Sequence, residues 1–364
     1  MRTVILQLET HAPLLSIKNV IKEKNKDMQK SPSISIVIPT YNSARTISLC
    51  LDSIMIQVYA GETEIIIADG GSTDSTLEIA QKYTDKIYTN PLKTGEAGKA
   101  AGVKHTKNEI IALIDSDNIL PSRDWLSRMT EPFQDREIAG TEPLYYTYRK
   151  EDGYITRYCA MLGMNDPLCL FLGNYDRMCM VTNKWTEMPV IQEDKGNYIK
   201  IELDDKKLPT IGANGFLVRR EALMDCSRGD YLFDIDIVYE LITQKKNKFA
   251  KVKVGIVHLF SGDVFTFIKK QRRRIKDYAY YKKLKLRKYP WGSLGKLKLL
   301  KFIIYTITIL PLVSQVSRGY WQKQDRAWWF HILACWITMG VYAWGLIKNT
   351  IHVEEENRSG WVQR

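Results

Sequence analysis

The six cysteines (Cys50, Cys159, Cys169, Cys179, Cys226 and Cys335) form no Cys-x-x-Cys pair and show no zinc-type spacing. That excludes a small metal-ribbon scaffold and predicts buried free thiols in a reducing compartment. No Gly-x-Gly-x-x-Gly follows the first apolar run; Pro39-Thr40-Tyr41-Asn42 stands there instead, which argues against a dinucleotide-dependent oxidoreductase. A secretory signal is also lacking. Glu9 and His11 interrupt the apolar start, and Lys22, Lys24, Lys26 and Lys30 follow, so residues 1–32 read as an N-terminal extension. Charge is missing altogether from residues 327–347, which removes the usual marks of a surface helix.

What remains is the composition of a folded chain, with 45% hydrophobic and 26% charged residues among 364. The formal net charge of +12 is unevenly placed, with much of the excess between Lys245 and Lys301. A basic segment meets nucleic acid, anionic lipid or phosphorylated substrates, and its neighbours decide which.

The organising stretch is Glu109 to Pro121. The apolar run Ile110–Ile114 predicts a strand buried on both faces, and it leads directly into Asp115-Ser116-Asp117. Ligands of open α/β sheets bind beyond the carboxyl ends of strands. Period-2 geometry would point Asp115 and Asp117 the same way, as oxygen ligands for one divalent cation. Further strands are expected over residues 33–42, stopped by Pro39, over 64–69, and at Ile87-Tyr88. Helices are expected from about Ala44 and from Gly95 to Lys107. The order β-α-β-α-β-α-β describes a doubly wound nucleotide-binding half.

Ile38-Pro39-Thr40-Tyr41-Asn42, Ala68-Asp69-Gly70-Gly71-Ser72-Thr73-Asp74 and Asp115-Ser116-Asp117, in that order, resemble the motifs of the family 2 (GT-A fold) glycosyltransferases. Ile211-Gly212-Ala213-Asn214-Gly215, with Arg219-Arg220 after it, is similar to the segment that opens the acceptor half in that family. The resemblance covers about residues 33–274. It implies a GT-A domain over 33–268, with a nucleotide-binding half at 33–140 and an acceptor half at 141–268.

The same resemblance implies roles. Pro39, Thr40 and Tyr41 would line base and ribose, and Asp69 would accept from a base N–H or a ribose hydroxyl; Gly70 replaces the second acid many members carry. Asp115 would meet ribose or metal, and Asp117 would bind Mn²⁺ or Mg²⁺ at the donor diphosphate. Lys99 is a candidate for the diphosphate, against a solvated helix face. Asp234 falls at the position of the catalytic base, with Asp236 in reserve. His258, ending Val254–Val257, suits a third metal ligand, a diphosphate donor or a structural histidine. Gln271-Arg272-Arg273-Arg274-Ile275 resembles a Gln-x-x-Arg-Trp element, with Ile275 in place of Trp. The arginines suit diphosphate or lipid-phosphate oxygens. Asp166, Asp176 and Arg177 are candidates for the acceptor pocket in a less readable stretch, though loop acids more often form turns.

Residues 269–301 interleave basic side chains with Tyr278, Tyr280, Tyr281, Tyr289 and Trp291, the pattern of a helix on anionic lipid. Residues 302–347 then hold one or two expected transmembrane helices: 327–347 is long enough to cross, and 302–317 is a short crossing or an in-plane helix. A tail over 348–364 follows. Adjacent apolar runs favour lipid over RNA, so no nucleic-acid partner is expected, and the basic flank places the catalytic domain in the cytosol. Together these imply a membrane-anchored, metal-dependent, inverting transferase, taking a nucleotide-diphosphate sugar to a lipid-linked saccharide. The alternatives are a polyprenyl-phosphate sugar synthase and a non-catalytic membrane scaffold.

Overall fold

The computed structural model describes residues 31–226, 229–289 and 295–351. The expected N-terminal extension up to residue 30, Trp291 and the tail beyond 351 lie outside the described residues.

The first half alternates β1 (Ile34–Thr40), α1 (Ile47–Met55), β2 (Thr63–Asp69), α2 (Thr76–Ala80), β3 (Ile87–Thr89), α3 (Gly95–Val103) and β4 (Ile110–Leu113). Next come β5 (Asn118–Ile119), α4 (Trp125–Thr130), β6 (Ile138–Tyr146), α5 (Tyr154–Leu162) and α6 (Leu168–Leu172). The hairpin β7 (Ile191–Asp194) and β8 (Tyr198–Glu202) precedes β9 (Phe216–Arg219), α7 (Arg220–Met224), α8 (Asp234–Thr243) and β10 (Lys248–His258). Four long helices end the described residues: α9 (Val264–Lys283), α10 (Lys296–Thr308), α11 (Leu310–Gln322) and α12 (Phe330–Ile351).

All ten strands join one sheet, in the order β3-β2-β1-β4-β9-β6-β10-β8-β7, with β5 paired to β10 off that path. The isoleucine runs of β1 and β2 are buried because helices cover both faces, and two apolar clusters fill those faces. Pro39 does not stop β1, which continues to Thr40. The ladder to β4 ends at Val37–Leu113, so the missing Pro39 N–H costs no bond on that side. Helix α3 lies close on β1 because Gly98 and Gly102 face it. A Cβ there would come within 2.6 Å of Pro39 and 2.4 Å of Val37. That close approach carries Lys99 to the carboxyl end of the sheet.

β9 runs antiparallel between β4 and β6, so the two expected halves share one sheet. A third apolar cluster ties α5 and α6 to the C-terminal helices, with Tyr158, Phe171, Phe302, Leu312, Trp328 and Phe330 at its centre. Gly319 makes room for Trp328, since a Cβ there would meet the indole at 2.6 Å. Helices α10 and α11 meet at 91° around Ile309, whose φ is +62°, so 302–317 is not one straight helix. All six cysteines are free thiols and five are buried; Cys169 is half-buried.

Candidate functional site

The expected nucleotide edge is built at the ends of β1 and β2. Asp69 is buried, and four donors meet its carboxylate. Thr40 Oγ1 and Ser72 Oγ donate to Oδ1 at 2.9 and 2.6 Å, and the Gly71 and Ser72 amides donate to Oδ2 at 2.8 Å each. Those bonds fill its acceptor positions. Asp69 thus shapes the loop, where an open base contact was expected. Pro39 and Thr40 are buried as well, leaving Tyr41 as the accessible member of the three, with Lys93 5.6 Å from its ring. Asn42, at φ +49°, locks the same loop by accepting from the Thr73 amide at 2.9 Å.

Asp115 and Asp117 do not share a strand. β4 ends at Leu113, and Asp115-Ser116-Asp117-Asn118 form a turn closed by the Asn118 amide donating to the Asp115 carbonyl at 2.9 Å. The period-2 premise therefore fails, and the two acids face different partners. Lys99 Nζ lies 3.3 Å from Asp115 and 2.8 Å from Asp234, which opens α8. Lys99 itself is buried, while the two carboxylates keep 29% and 26% of their side-chain surface exposed. Burial raises the Asp234 carboxyl from 3.8 to about 6, against the pull of Lys99 and with the push of Asp115. For Lys99 the two acids outweigh burial and hold the ammonium charged.

Asp117 meets His258 instead. β5 pairs antiparallel with β10, setting Asn118 opposite His258, and the Leu259 amide donates to the Asp117 carbonyl at 2.9 Å. His258 Nε2 then lies 3.5 Å and Lys270 Nζ 3.8 Å from Asp117 Oδ2. Burial alone would raise the Asp117 carboxyl; His258 and Lys270 outweigh it and hold the group below the usual carboxylate range. Burial lowers Lys270 to about 8. Asp117 Oδ1 is buried with no hydrogen-bond partner among the described residues. No group of three or more His, Cys, Asp or Glu is gathered there, so Asp115 does not join Asp117 and His258 as a third ligand.

The remaining expected residues divide. Asp236 accepts from Arg287 Nε at 2.5 Å and from the Lys288 and Tyr289 amides at 2.5 and 2.7 Å. It anchors the segment after α9, leaving no free base in reserve; Arg287–Tyr289 accordingly fold onto the domain and do not continue a surface helix. On α9, Gln271 is fully buried and accepts from Arg274 at 2.7 Å and from Tyr342 of α12 at 3.1 Å. Asp166 accepts from Tyr342 at 2.5 Å and pairs with Arg274 at 3.4 Å. Arg274 is thereby held in a knot with α12. Arg273 pairs with Asp277, and Arg272 is exposed. Ile275, in the place of the family's Trp, packs against Gly345, where a Cβ would come within 2.7 Å.

Two features escaped the sequence. Lys270 was hidden in a run of basic residues, where nothing marks the one that turns inward. Arg177, expected only as a candidate for the acceptor pocket, is fully buried, with Glu142 at 2.8 Å and Asp176 beside it; it also donates to the carbonyls of Ala213 and Asn214. Lys251 meets Glu142 at 2.6 Å, and Glu142 accepts from the Gly212 amide at 2.8 Å. This cluster fixes the Gly212–Gly215 loop. The loop in turn holds the acid turn, because Asn118 donates to Asn214 at 3.1 Å.

A mixed sheet of this order, with acids gathered at its carboxyl end, defines a GT-A nucleotide-diphospho-sugar transferase fold. The chain belongs to glycosyl transferase family 2, whose family model matches residues 35–226. Glycosyltransferase AglE of Haloferax volcanii is 30% identical over 104 residues, which is 27% of this chain and 34% of AglE. The UDP-Glc:alpha-D-GlcNAc-diphosphoundecaprenol beta-1,3-glucosyltransferase WfgD of Escherichia coli is 32% identical over 102 residues, 27% of this chain and 38% of WfgD. Each match spans well under half of the relative's length. Among solved structures, the mannosyltransferase PcManGT from Pyrobaculum calidifontis, in complex with GDP-Man and Mn²⁺, covers 92% of this chain and 94% of its own at 13% identity and a TM-score of 0.50. At that identity the likeness speaks for the fold.

Proposed function

We propose that this chain is an inverting glycosyltransferase that moves a sugar from a nucleotide-diphosphate donor to a lipid-linked saccharide at the cytosolic face of a membrane. The observation that carries the proposal is the meeting of Asp234, from the acceptor half, with Asp115, from the donor half, across Lys99. A carboxyl raised to about 6 is basic enough to take the acceptor hydroxyl's proton near neutral pH. Lys99 holds it in place, and the hydroxyl oxygen attacks the anomeric carbon from the face opposite the diphosphate. Tyr41 offers its ring to the base.

Donor departure builds charge on the diphosphate, which fixed cations must offset. Lys270 supplies one. Asp117 and His258 fit a divalent ion: the unpartnered Asp117 Oδ1 is an oxygen ligand in waiting, and small hard cations complete their shells with water and phosphate oxygens. Turning the Asn165 amide would set its own unpartnered Oδ1 against His258 Nδ1, now 3.2 Å from Nδ2, and leave Nε2 a lone pair. Mn²⁺ or Mg²⁺ held there would stabilise the leaving diphosphate. The lipid-linked acceptor draws support from the apolar C-terminal helices and from what WfgD's name says of that relative.

The test is nucleoside-diphosphate release from a panel of sugar nucleotides with Mn²⁺, with and without lipid extract, beside Asp117→Ala. Lipid-stimulated release with one donor, lost in the variant, is the expected result. A product resistant to mild acid would identify a saccharide acceptor, and a labile one a bare lipid phosphate. Nucleotide binding without release from any donor would overturn the enzyme in favour of a scaffold.

A further inference from the structure

Composition alone reads Arg326–Lys348 as a helix able to cross a bilayer, at 23 residues and a mean hydropathy of 1.6. Its surroundings describe something else. One stripe of α12 is turned into the protein from His331 to Gly345. His331 meets Tyr158 of α5 at 2.8 Å and Gln315 of α11 at 2.9 Å. Thr338 is buried, Tyr342 is bonded to Asp166 and Gln271, and Gly345 lies under Ile275. The partner α9 carries eight Lys and Arg residues and also presents Lys270 to Asp117. A helix docked lengthwise on such a neighbour cannot cross hydrocarbon without drawing those charges in with it.

The opposite stripe is Leu333, Trp336, Gly340, Trp344 and Ile347, at steps of three and four, with Trp329 just ahead of the helix, and it is exposed. Trp321 of α11 is 87% exposed, and Leu297, Leu300, Ile304 and Ile307 of α10 are exposed as well. Around this apolar surface the chain has no Asp or Glu from residue 278 to 324, while it has ten Lys and Arg there, of which Arg287 and Lys288 pair with Asp236 and Glu240 of α8. Exposed tryptophans beside an excess of cations match anionic headgroups over an apolar layer. A second copy would bring the same positive charge, which disfavours self-association.

We propose that α10–α12 attach this chain to one leaflet of an anionic bilayer with α12 in the membrane plane, and that α12 does not cross. This rests on the membrane part of the proposed function and specifies its topology. The test uses the full chain, with Lys323→Cys, between α11 and α12, and Lys348→Cys, in the last turn of α12, made singly. Each is reconstituted in vesicles of phosphatidylcholine and phosphatidylglycerol and treated with a membrane-impermeant maleimide, against the parent as blank. Labelling of both positions from the side of the catalytic domain is expected. Protection of position 348 until the vesicles are opened would overturn the in-plane topology and leave the lipid-linked acceptor standing.

A second measurement follows flotation with vesicles of either composition. Trp336→Glu with Trp344→Glu should weaken binding roughly tenfold or more, and phosphatidylcholine alone should bind less than the anionic mixture. Donor hydrolysis in solution should be unchanged in the double variant. No flotation of the parent, with a dimer in detergent-free solution that the double variant dissolves, would overturn lipid as the occupant and the membrane part of the proposed function with it. Donor turnover in the same preparation would show that the transferase assignment survives.

Discussion

Two ionic clusters in this domain are made of the same chemistry and set in different surroundings. Glu142, Arg177 and Lys251 are all at 0% exposure, and every contact they make ends in the protein. In the other cluster only Lys99 is dry, and Asp115 and Asp234 each keep about a quarter of their side-chain surface in solvent. A fully buried cluster can only hold, because exchanging a proton or a partner would leave a charge without compensation. The half-open cluster holds a carboxyl raised to about 6 that still meets solvent, as the proposed base requires. Exposure, more than composition, separates a fastener from a site.

The largest expected effect strikes the dry cluster. Arg177→Met leaves Glu142 and Asp176 short of a counter-charge and should cost about 3–5 kcal/mol of stability in urea unfolding. A loss under about 1 kcal/mol would erase the distinction. In the half-open cluster, Asp234→Asn should lower kcat by roughly 10²–10⁴-fold while the unfolding midpoint stays near the parent's. A large loss of stability there would make Asp234 a fastener too.

Asp236→Asn should do the opposite of Asp234→Asn, costing about 1.5–3 kcal/mol in the same unfolding assay with kcat nearly unchanged. The smallest effect sharpens the comparison by pH. Asp234 is protonated below its raised value and competent as a base above it, so kcat should fall as pH drops through about 6. Lys99→Met removes the cation that favours the carboxylate and should move that limb up by about one unit. A limb that stays in place would mean another group titrates.

Where the sequence was legible, the signal was local. Isoleucine runs mark β1, β2 and β4 because burial on both faces demands them, and Asp69, Asp115 and Asp117 stand where those strands end. The partners of these acids were not legible, since they depend on long-range register. His258 meets Asp117 only because β10 accepts β5, and Asp115 parts from Asp117 because a turn replaces the expected strand. Arg177 stood among candidates for the acceptor pocket because nothing local reveals a fully buried arginine. In the C-terminal helices, hydropathy averaged over a window cannot tell a helix bathed in lipid from one with a polar stripe docked on its own domain.

The place of β9 has a consequence for how such a chain comes into being. Ile110 must wait for Arg219 before its strand has both neighbours, and β6 waits for the same segment. During synthesis the parallel half therefore emerges with a raw edge at β4, open to mispairing until the far segment arrives. Closing that gap joins distant parts of the chain, a slow event by the rules of loop closure. Hydrogen exchange during refolding should find the β4 and β9 amides protected together and late.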